Sequence, residues 1–169
     1  MFKMNAKKWS LLLFIPLLAV QGCDQGSTTS SAESADRITL APNEHNLTIG
    51  DYNVHVNALT TDQLPVEVAR GYQITRSQNR AMLNVSVRKN VNGTEKPVPA
   101  TVNVVVKNLS NQIKDIKLRE IRENDPLAIY YIGEVPVNHE ETLVFNVDLK
   151  PEGENETILL GYRQRFFTQ

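Results

Sequence analysis

The chain has very little cysteine, since Cys23 is the single one among 169 residues. An intrachain disulfide is therefore excluded, and a folded domain has to be held together by burial and hydrogen bonding. The composition, 41% hydrophobic and 22% charged, is typical of a globular protein, and the length suits one domain. No internal repeat is visible.

Motifs that carry catalysis or cofactor binding are also missing. The sequence has no Gly-x-Ser-x-Gly nucleophile elbow and no phosphate-cradling glycine loop. Its three histidines, His45, His55 and His139, form no pair with the spacing of metal ligands, so we predict no metal site and no cofactor. An enzyme is left open but unsupported, and a non-catalytic protein is favoured.

Hydrophobic runs long enough to span a membrane are lacking as well. The first nine residues, MFKMNAKKW, carry three lysines and no acid, and the uncharged run LLLFIPLLAV follows at residues 11–20. This run has about half of the roughly 20 residues that a membrane-spanning helix requires. The pattern predicts a signal peptide over residues 1–22.

Positive charge is scarce in the rest of the chain. Without the three leader lysines, 15 of the 18 basic side chains remain against 19 acidic ones. Proteins that bind nucleic acids normally present a basic face, so we predict no nucleic-acid partner.

The position of Cys23 suggests what a solitary thiol is for. Val20-Gln21-Gly22-Cys23 resembles a bacterial lipobox, which implies acylation of Cys23 and cleavage just before it. Two or three acyl chains hold a protein on a membrane where one chain does not. The alternative is a conventional secretory signal followed by an incidental thiol. Asp24-Gln25 favours the periplasmic face of the inner membrane, with the outer membrane as the alternative.

The segment after the cysteine has the composition of a tether. Residues 23–36 contain no large apolar side chain and are rich in Ser, Thr and acids, so they cannot bury enough surface to fold. We therefore predict a flexible tether over residues 23–36 and a folded domain over residues 37–169.

From residue 37 onward, apolar and polar side chains alternate with the period of two that is typical of β-strands. The inward faces of four such runs are predicted to be Tyr52 to Ala58, Ala81 to Val87, Ala100 to Val106 and Leu143 to Leu149. Further strands are predicted around residues 116–121 and 127–132. Asn92-Gly93 predicts a hairpin with an extended loop between the second and third runs, and PEGEN predicts a second hairpin after the fourth.

One stretch, TTDQLPVEVARGY, has helical spacing instead. Leu64, Val68 and Tyr72 would share a face, Asp62 would cap the helix and Gly71 would end it. The whole pattern predicts a mainly β protein, an antiparallel β-sandwich of the immunoglobulin-like type with seven to eight strands and one short helix. A small barrel is the second choice.

The candidate contact site is the stretch ARGYQITRSQNR at residues 69–80. Its arginines lie between Glu67 and Glu95 with no acid among them, and its site residues are Arg70, Tyr72, Arg76, Ser77 and Arg80. Arginine forks and hydroxyl groups suit a carboxylate or a phosphate. The alternative is an exposed loop and strand edge whose arginines pair with acids elsewhere.

The same stretch lies within a longer resemblance. Residues 50–87, followed by NLSNQ, REIREND, AIYYIGEV and YRQRFF, resemble a proteobacterial family of small exported proteins, the domain of unknown function number 4426. The family segment Tyr-Gly-Ile-x-Arg-Ser falls on Tyr72, Ile74, Arg76 and Ser77, with Gln73 in place of glycine. The resemblance implies export and a domain over residues 46–169, and it implies no activity.

Two functions follow as hypotheses. The first is a lipid-anchored accessory or interaction module at the periplasmic face of the cell envelope, with an envelope protein or an anionic envelope ligand as its partner. The second is a small envelope enzyme whose site lies near Arg76 and Ser77.

Overall fold

The computed structural model describes residues 37–168, and they form two facing β-sheets. The strands are β1 (Ile38–Thr39), β2 (Asn46–Ile49), β3 (Tyr52–Thr60), β4 (Arg80–Val91), β5 (Thr94–Pro97), β6 (Ala100–Asn108), β7 (Ile113–Lys114), β8 (Arg119–Asn124), β9 (Leu127–Pro136), β10 (Thr142–Pro151) and β11 (Ile158–Arg165). Between β3 and β4 lie a 3₁₀ turn (Thr61–Gln63) and helix α1 (Val66–Gly71).

Sheet A has the strand order β1-β11-β10-β6-β7, and sheet B has the order β2-β3-β4-β9-β8 with β5 paired to β4. All pairs are antiparallel except that of β1 with β11. The predicted mainly β sandwich is confirmed, and the sheets do not close into a barrel. The described residues contain more strands than the predicted seven to eight because four of them, β1, β2, β5 and β7, span only two to four residues.

The prediction that residues 81–88 pair with residues 100–107 in a hairpin is wrong. Asn92-Gly93 does form a tight turn, but it pairs β4 with β5, whereas β6 lies in sheet A beside β10. Pro97 and Pro99 lack the amide hydrogen that a continuing ladder needs, so the chain leaves sheet B there and crosses to sheet A. The second hairpin, β10 with β11, is confirmed.

The main core lies between the sheets and contains the faces that alternation predicted. Val54, Val85, Phe145 and Val147 are all fully buried there. The strands 119–124 and 127–136 also confirm the prediction of strands around residues 116–121 and 127–132, although residues 115–118 are a connection and not a strand.

A second, smaller core lies on the outer face of sheet B. Leu64, Ala69 and Ile74, from α1 and its flanking residues, cover Met82 of β4 and Ile132 of β9. Part of this outer face is therefore covered by the segment that contains Arg70 and Tyr72 of the candidate site. None of the helices among residues 37–168 has the length and apolar character needed to cross a membrane.

Candidate functional site

Helix α1 ends in a way that the sequence does not predict. It continues through Gly71, and the backbone amides of Gln73 and Ile74 donate to the carbonyls of Arg70 and Ala69 at 3.1 and 2.8 Å. This pair of bonds is the Schellman motif, whose penultimate residue takes a left-handed conformation. Gln73 occupies that position with φ 55°. The helix does end at Gly71, as predicted, but the left-handed residue that follows its end is Gln73 and not a glycine.

The start of the helix also differs from the prediction. Asp62 lies in the 3₁₀ turn and caps nothing, since Pro65 is the N-cap residue of α1. Val68, predicted on the apolar face, is 38% exposed, and Ala69 takes the buried place at 3%. The helix begins at Val66, after Pro65, so Leu64 lies outside it and does not share a helical face with Val68.

The hydroxyl of Thr61 joins the 3₁₀ turn to the stretch that follows α1. Thr61 Oγ1 lies 2.9 Å from the carbonyl of Thr75 and 3.1 Å from that of Ser77, to which it can donate, and it accepts a hydrogen bond from the Ser77 amide at 2.8 Å. Thr61 is fully buried. One buried hydroxyl thus fixes residues 75–77 against the end of β3.

Arg76 and Ser77 lie in this fixed stretch. Arg76 is exposed and donates through Nη2 to the Asp62 carbonyl, so it closes the same loop from outside. Ser77 Oγ accepts a hydrogen bond from the Asn79 amide at 3.2 Å. Among the described residues, no imidazole or carboxylate is hydrogen bonded to that hydroxyl.

Tyr72 links the helix segment to β8. Its hydroxyl donates to Glu123, and its carbonyl accepts a hydrogen bond from Nη2 of Arg119. Burial and the hydrogen bond to the Glu123 carboxylate raise the pKa of Tyr72 to about 12. Tyr72 is therefore held as a neutral donor at any physiological pH.

The five residues of the predicted site lie on α1, on the loop that follows it and on β4. Arg70 is exposed on α1, and Arg80 lies on β4, where its guanidinium is 3.6 Å from Glu134. Arg80 instead lines a groove of about 610 Å³ at the edge of sheet B. Arg70, Arg76 and Ser77 do not line this groove.

We call this groove the cationic groove because its lining includes Arg80, Lys114, Lys117 and Arg119 against two acids, Asp115 and Glu134. Ile113, Ile132, Gly133 and Pro136 complete the lining. The groove lies where β7 and the connection 115–118 pass from sheet A to β8 in sheet B. Sequence reasoning missed the last three cations, and the signal that could have found them is the run KDIKLR, residues 114–119.

The four cations differ in how they are held. Lys114 is mostly buried and is 2.5 Å from Glu141, which also accepts the Asn138 amide at 2.9 Å. Although burial acts in the opposite direction, these hydrogen bonds hold the pKa of Glu141 below its ordinary value. Arg80 keeps 47% of its side chain exposed, and Lys117 is exposed. The groove therefore combines one fixed cation with others that are open to a ligand.

No cluster of three or more metal-ligating side chains occurs among residues 37–168. A bound anion would be held by hydrogen bonds from guanidinium and ammonium groups, which are strongest with carboxylate and phosphate.

Comparisons with known proteins agree on one family. A comparison with curated proteins finds no match. The crystal structure of a DUF4426 family protein from Pseudomonas aeruginosa PAO1 is similar, with a TM-score of 0.62 and 27% identity over 73% of this chain and 94% of that chain. The model of the domain of unknown function DUF4426 matches residues 46–169. The chain therefore belongs to the DUF4426 family.

Proposed function

We propose that this chain is a lipid-anchored interaction module of the cell envelope that binds an anionic partner, an acidic protein segment or an anionic envelope ligand, through the cationic groove. The observation that carries the proposal is the convergence of Arg80, Lys117 and Arg119 on one concave surface, although the domain as a whole has nearly equal numbers of basic and acidic side chains. A local positive field favours association with acidic partners and directs them to that surface.

The groove geometry supports binding rather than catalysis. Arg119 donates to the backbone carbonyl of Tyr72. Its positive charge is therefore not neutralised by a carboxylate in this contact. Arg80 lies 3.6 Å from Glu134, a distance at which an incoming carboxylate can compete. The alternative enzyme site near Arg76 and Ser77 has less support, because Arg76 is engaged with the Asp62 carbonyl.

The anchor is the second part of the proposal. Cys23 and the tether lie outside the described residues, and the domain begins at Arg37, whose guanidinium donates to Asp148 at 2.7 Å. A flexible chain of about 13 residues has a root-mean-square span of roughly 20 Å, which keeps the domain close to a membrane surface. The inner membrane, as Asp24-Gln25 suggests, or the outer membrane would then present the groove to partners in the periplasm.

The groove is tested by cross-linking in native membranes. A photoreactive residue at Ile113, which lines the groove and is 72% exposed, should give defined adducts. Lys117→Glu should abolish them, and Lys150→Glu, an exposed lysine on β10 away from the groove, should leave them unchanged. Adducts that persist in Lys117→Glu would reject the groove as the binding surface.

The anchor is tested by metabolic labelling with a radioactive fatty acid. The wild-type protein should take up label and Cys23→Ala should not. Equal labelling of the two proteins, or no labelling of either, would contradict the lipid anchor without bearing on the groove.

A further inference from the structure

The outer edge of β6 is open over most of its length. β7 pairs only with Val106 and Lys107 of β6, and residues 115–118 then leave sheet A for sheet B. No other strand among residues 37–168 lies beside β6 on this side. An open strand edge presents unpaired amide and carbonyl groups, with which a strand of another chain can pair.

The hydrogen bonds near β7 show which backbone groups face this edge. The amide of Asn108 donates to the carbonyl of Gln112 across the turn between β6 and β7 at 3.0 Å. Every second residue of a strand presents its backbone groups to the same side, so the amides and carbonyls of Val104 and Val102 face the open edge. Neither valine has a backbone partner on this side within the described part of the chain.

A groove of about 330 Å³ runs along this edge, between β6 and the connection 115–118. Its apolar lining includes Val102, Val104, Ile116 and Leu118, which are half-buried and pack against the main core. A strand added to β6 would point every second side chain toward this lining. It would gain main-chain hydrogen bonds and apolar contacts together, which is how peptides add to the edges of sheets.

The charges at this edge favour an acidic segment. Lys117 is exposed and lines both this groove and the cationic groove, so a segment that leaves β6 over Lys117 enters the cationic groove. Asp148 is the one acid that lines the groove along β6, and it lies 2.7 Å from the Arg37 guanidinium, which balances its charge. An acidic residue of a bound segment therefore meets an open cation here.

We infer that the anionic partner is an extended protein segment that adds to β6 as a strand, opposite Val102 and Val104. Apolar residues at alternate positions of this segment pack on Ile116 and Leu118, and acidic residues beside them bind Lys117 and the cationic groove. This inference rests on the proposed function and narrows its partner to a polypeptide, because an anionic ligand without peptide groups cannot pair with a strand edge.

Two other occupants of the edge fit less well. The β6 strand of a second copy carries Lys107 and no acid, so it would bring positive charge to a positive surface. The tether, residues 23–36, carries acids but has no large apolar side chain to fill the groove. A segment of another protein, with acidic and apolar residues together, matches both features.

Amide hydrogen exchange of the ¹⁵N-labelled full-length protein in detergent tests the inference. The probe is a synthetic peptide with valine at alternate positions, threonine between them and a run of glutamates at one end. Without peptide, the amides of Val102 and Val104 should exchange fast, whereas those of Asn103 and Val105, which face β10, should be protected. Saturating peptide should slow exchange at Val102 and Val104 about tenfold or more and leave Asn103 and Val105 unchanged.

A modified peptide and a matched pair of variants separate strand addition from charge attraction. N-methylation of the peptide amides that face β6 keeps the side chains and charges but removes the donors, so binding should weaken about tenfold or more. Val104→Pro removes an amide that β10 does not use and should weaken binding of the unmodified peptide. Val104→Ala keeps that amide and should bind the peptide more tightly than Val104→Pro. The N-methylated peptide decides the question with the wild-type protein alone.

Several results would overturn the inference. These are no binding of the peptide, binding without protection of Val102 and Val104, and equal binding of the N-methylated peptide. Protection of the two amides in the protein alone would also overturn it, because the tether or a second copy would then occupy the edge. The cationic groove would survive each of these results, since it fails separately if the adducts from Ile113 persist in Lys117→Glu.

Discussion

Gly133 lies so close beneath Ile116 that a Cβ atom built on the glycine would be 2.8 Å from Ile116 Cγ1. Leu118 Cδ2 would be equally near. Gly133 faces the main core from β9, and Ile116 and Leu118 pack against that core from the connection between the two sheets. The absence of a side chain at residue 133 therefore makes room for the chain to cross from sheet A to sheet B.

We expect Gly133→Ala to destabilise the domain by about 1–3 kcal/mol, because the added methyl group overpacks this crossing. Urea unfolding would measure the change in midpoint. The control is Gly71→Ala, where an added Cβ meets nothing within 4 Å and the helix gains a better helix former. Equal midpoints for wild type and Gly133→Ala would show that Ile116 and Leu118 move aside without cost.

The left-handed residue after α1 gives a prediction of the opposite sign. Gln73 has φ 55°, a conformation that costs a residue with a side chain roughly 1–2 kcal/mol and costs glycine little. Gln73→Gly should raise the free energy of unfolding by about 1 kcal/mol. Gln78→Gly, in a turn without a positive φ, should lower it slightly. Destabilisation by Gln73→Gly would mean that the Gln73 side chain makes a contact worth more than the strain.

The hydrogen bond between Tyr72 and Glu123 leads to a prediction for the stability of the domain at alkaline pH. The pKa of Tyr72 is raised from 10.0 to about 12 by burial and by the bond to Glu123. This contribution to stability is complete below pH 10.0 and is lost as pH rises toward about 12. Tyr72→Phe should cost about 1 kcal/mol at neutral pH and should flatten this alkaline loss. Thermal unfolding across the range measures both effects, and a Tyr72→Phe protein with the wild-type alkaline profile would contradict the assignment.

The environment of His55 leads to a prediction for the stability of the domain at acidic pH. Burial, the ring of His45 and the charge of Arg88 lower the pKa of His55 below its ordinary value of 6.5. The unfolded chain then takes up a proton that the folded chain resists, so the free energy of unfolding falls as pH drops from 6.5 toward the folded pKa. His55→Gln should remove part of this acid loss in urea titrations at several pH values. His139→Gln, an exposed histidine, is the control that should retain the wild-type profile.

A substitution of Arg76 is expected to change the stability of the domain but not its capture of a partner. Its bond to the Asp62 carbonyl closes the loop after α1, so Arg76→Ala should lower the free energy of unfolding by about 1 kcal/mol. Cross-linking from Ile113 should be unchanged, because Arg76 does not line the cationic groove. Lost adducts at unchanged stability would assign Arg76 to the partner contact, as its arginine-rich neighbourhood in the sequence suggested.

The alternation of side chains was enough to predict the sandwich and its inward faces, because burial on one face of a strand leaves a period of two. It was not enough to predict which strands pair, since the same inward pattern in β6 fits either sheet. Ser86 shows another limit. Alternation puts it on the solvent side, yet it is only 9% exposed because neighbouring strands and their side chains surround it on the outer face of sheet B.

The candidate site was harder to predict for a different reason. Sequence reasoning grouped Arg70, Arg76 and Arg80 because they are close along the chain, but they lie on a helix, a loop and a strand, and only Arg80 lines the cationic groove. Lys117 and Arg119 line the same groove as Arg80 only because the chain crosses from sheet A to sheet B at this point.

The parallel pairing of β1 with β11 determines how the domain responds to mechanical load. Ile38 and Thr39 lie beside Leu160 and Gly161, and Arg37 adds bonds to the carbonyls of Val147 and Leu160. Because the two strands run in the same direction, a pull on residue 37 against the end of β11 loads these bonds in shear, all at once, and cannot open them one by one. A force applied to the amino-terminal side of the domain would therefore act on hydrogen bonds in shear, the geometry that best resists mechanical unfolding.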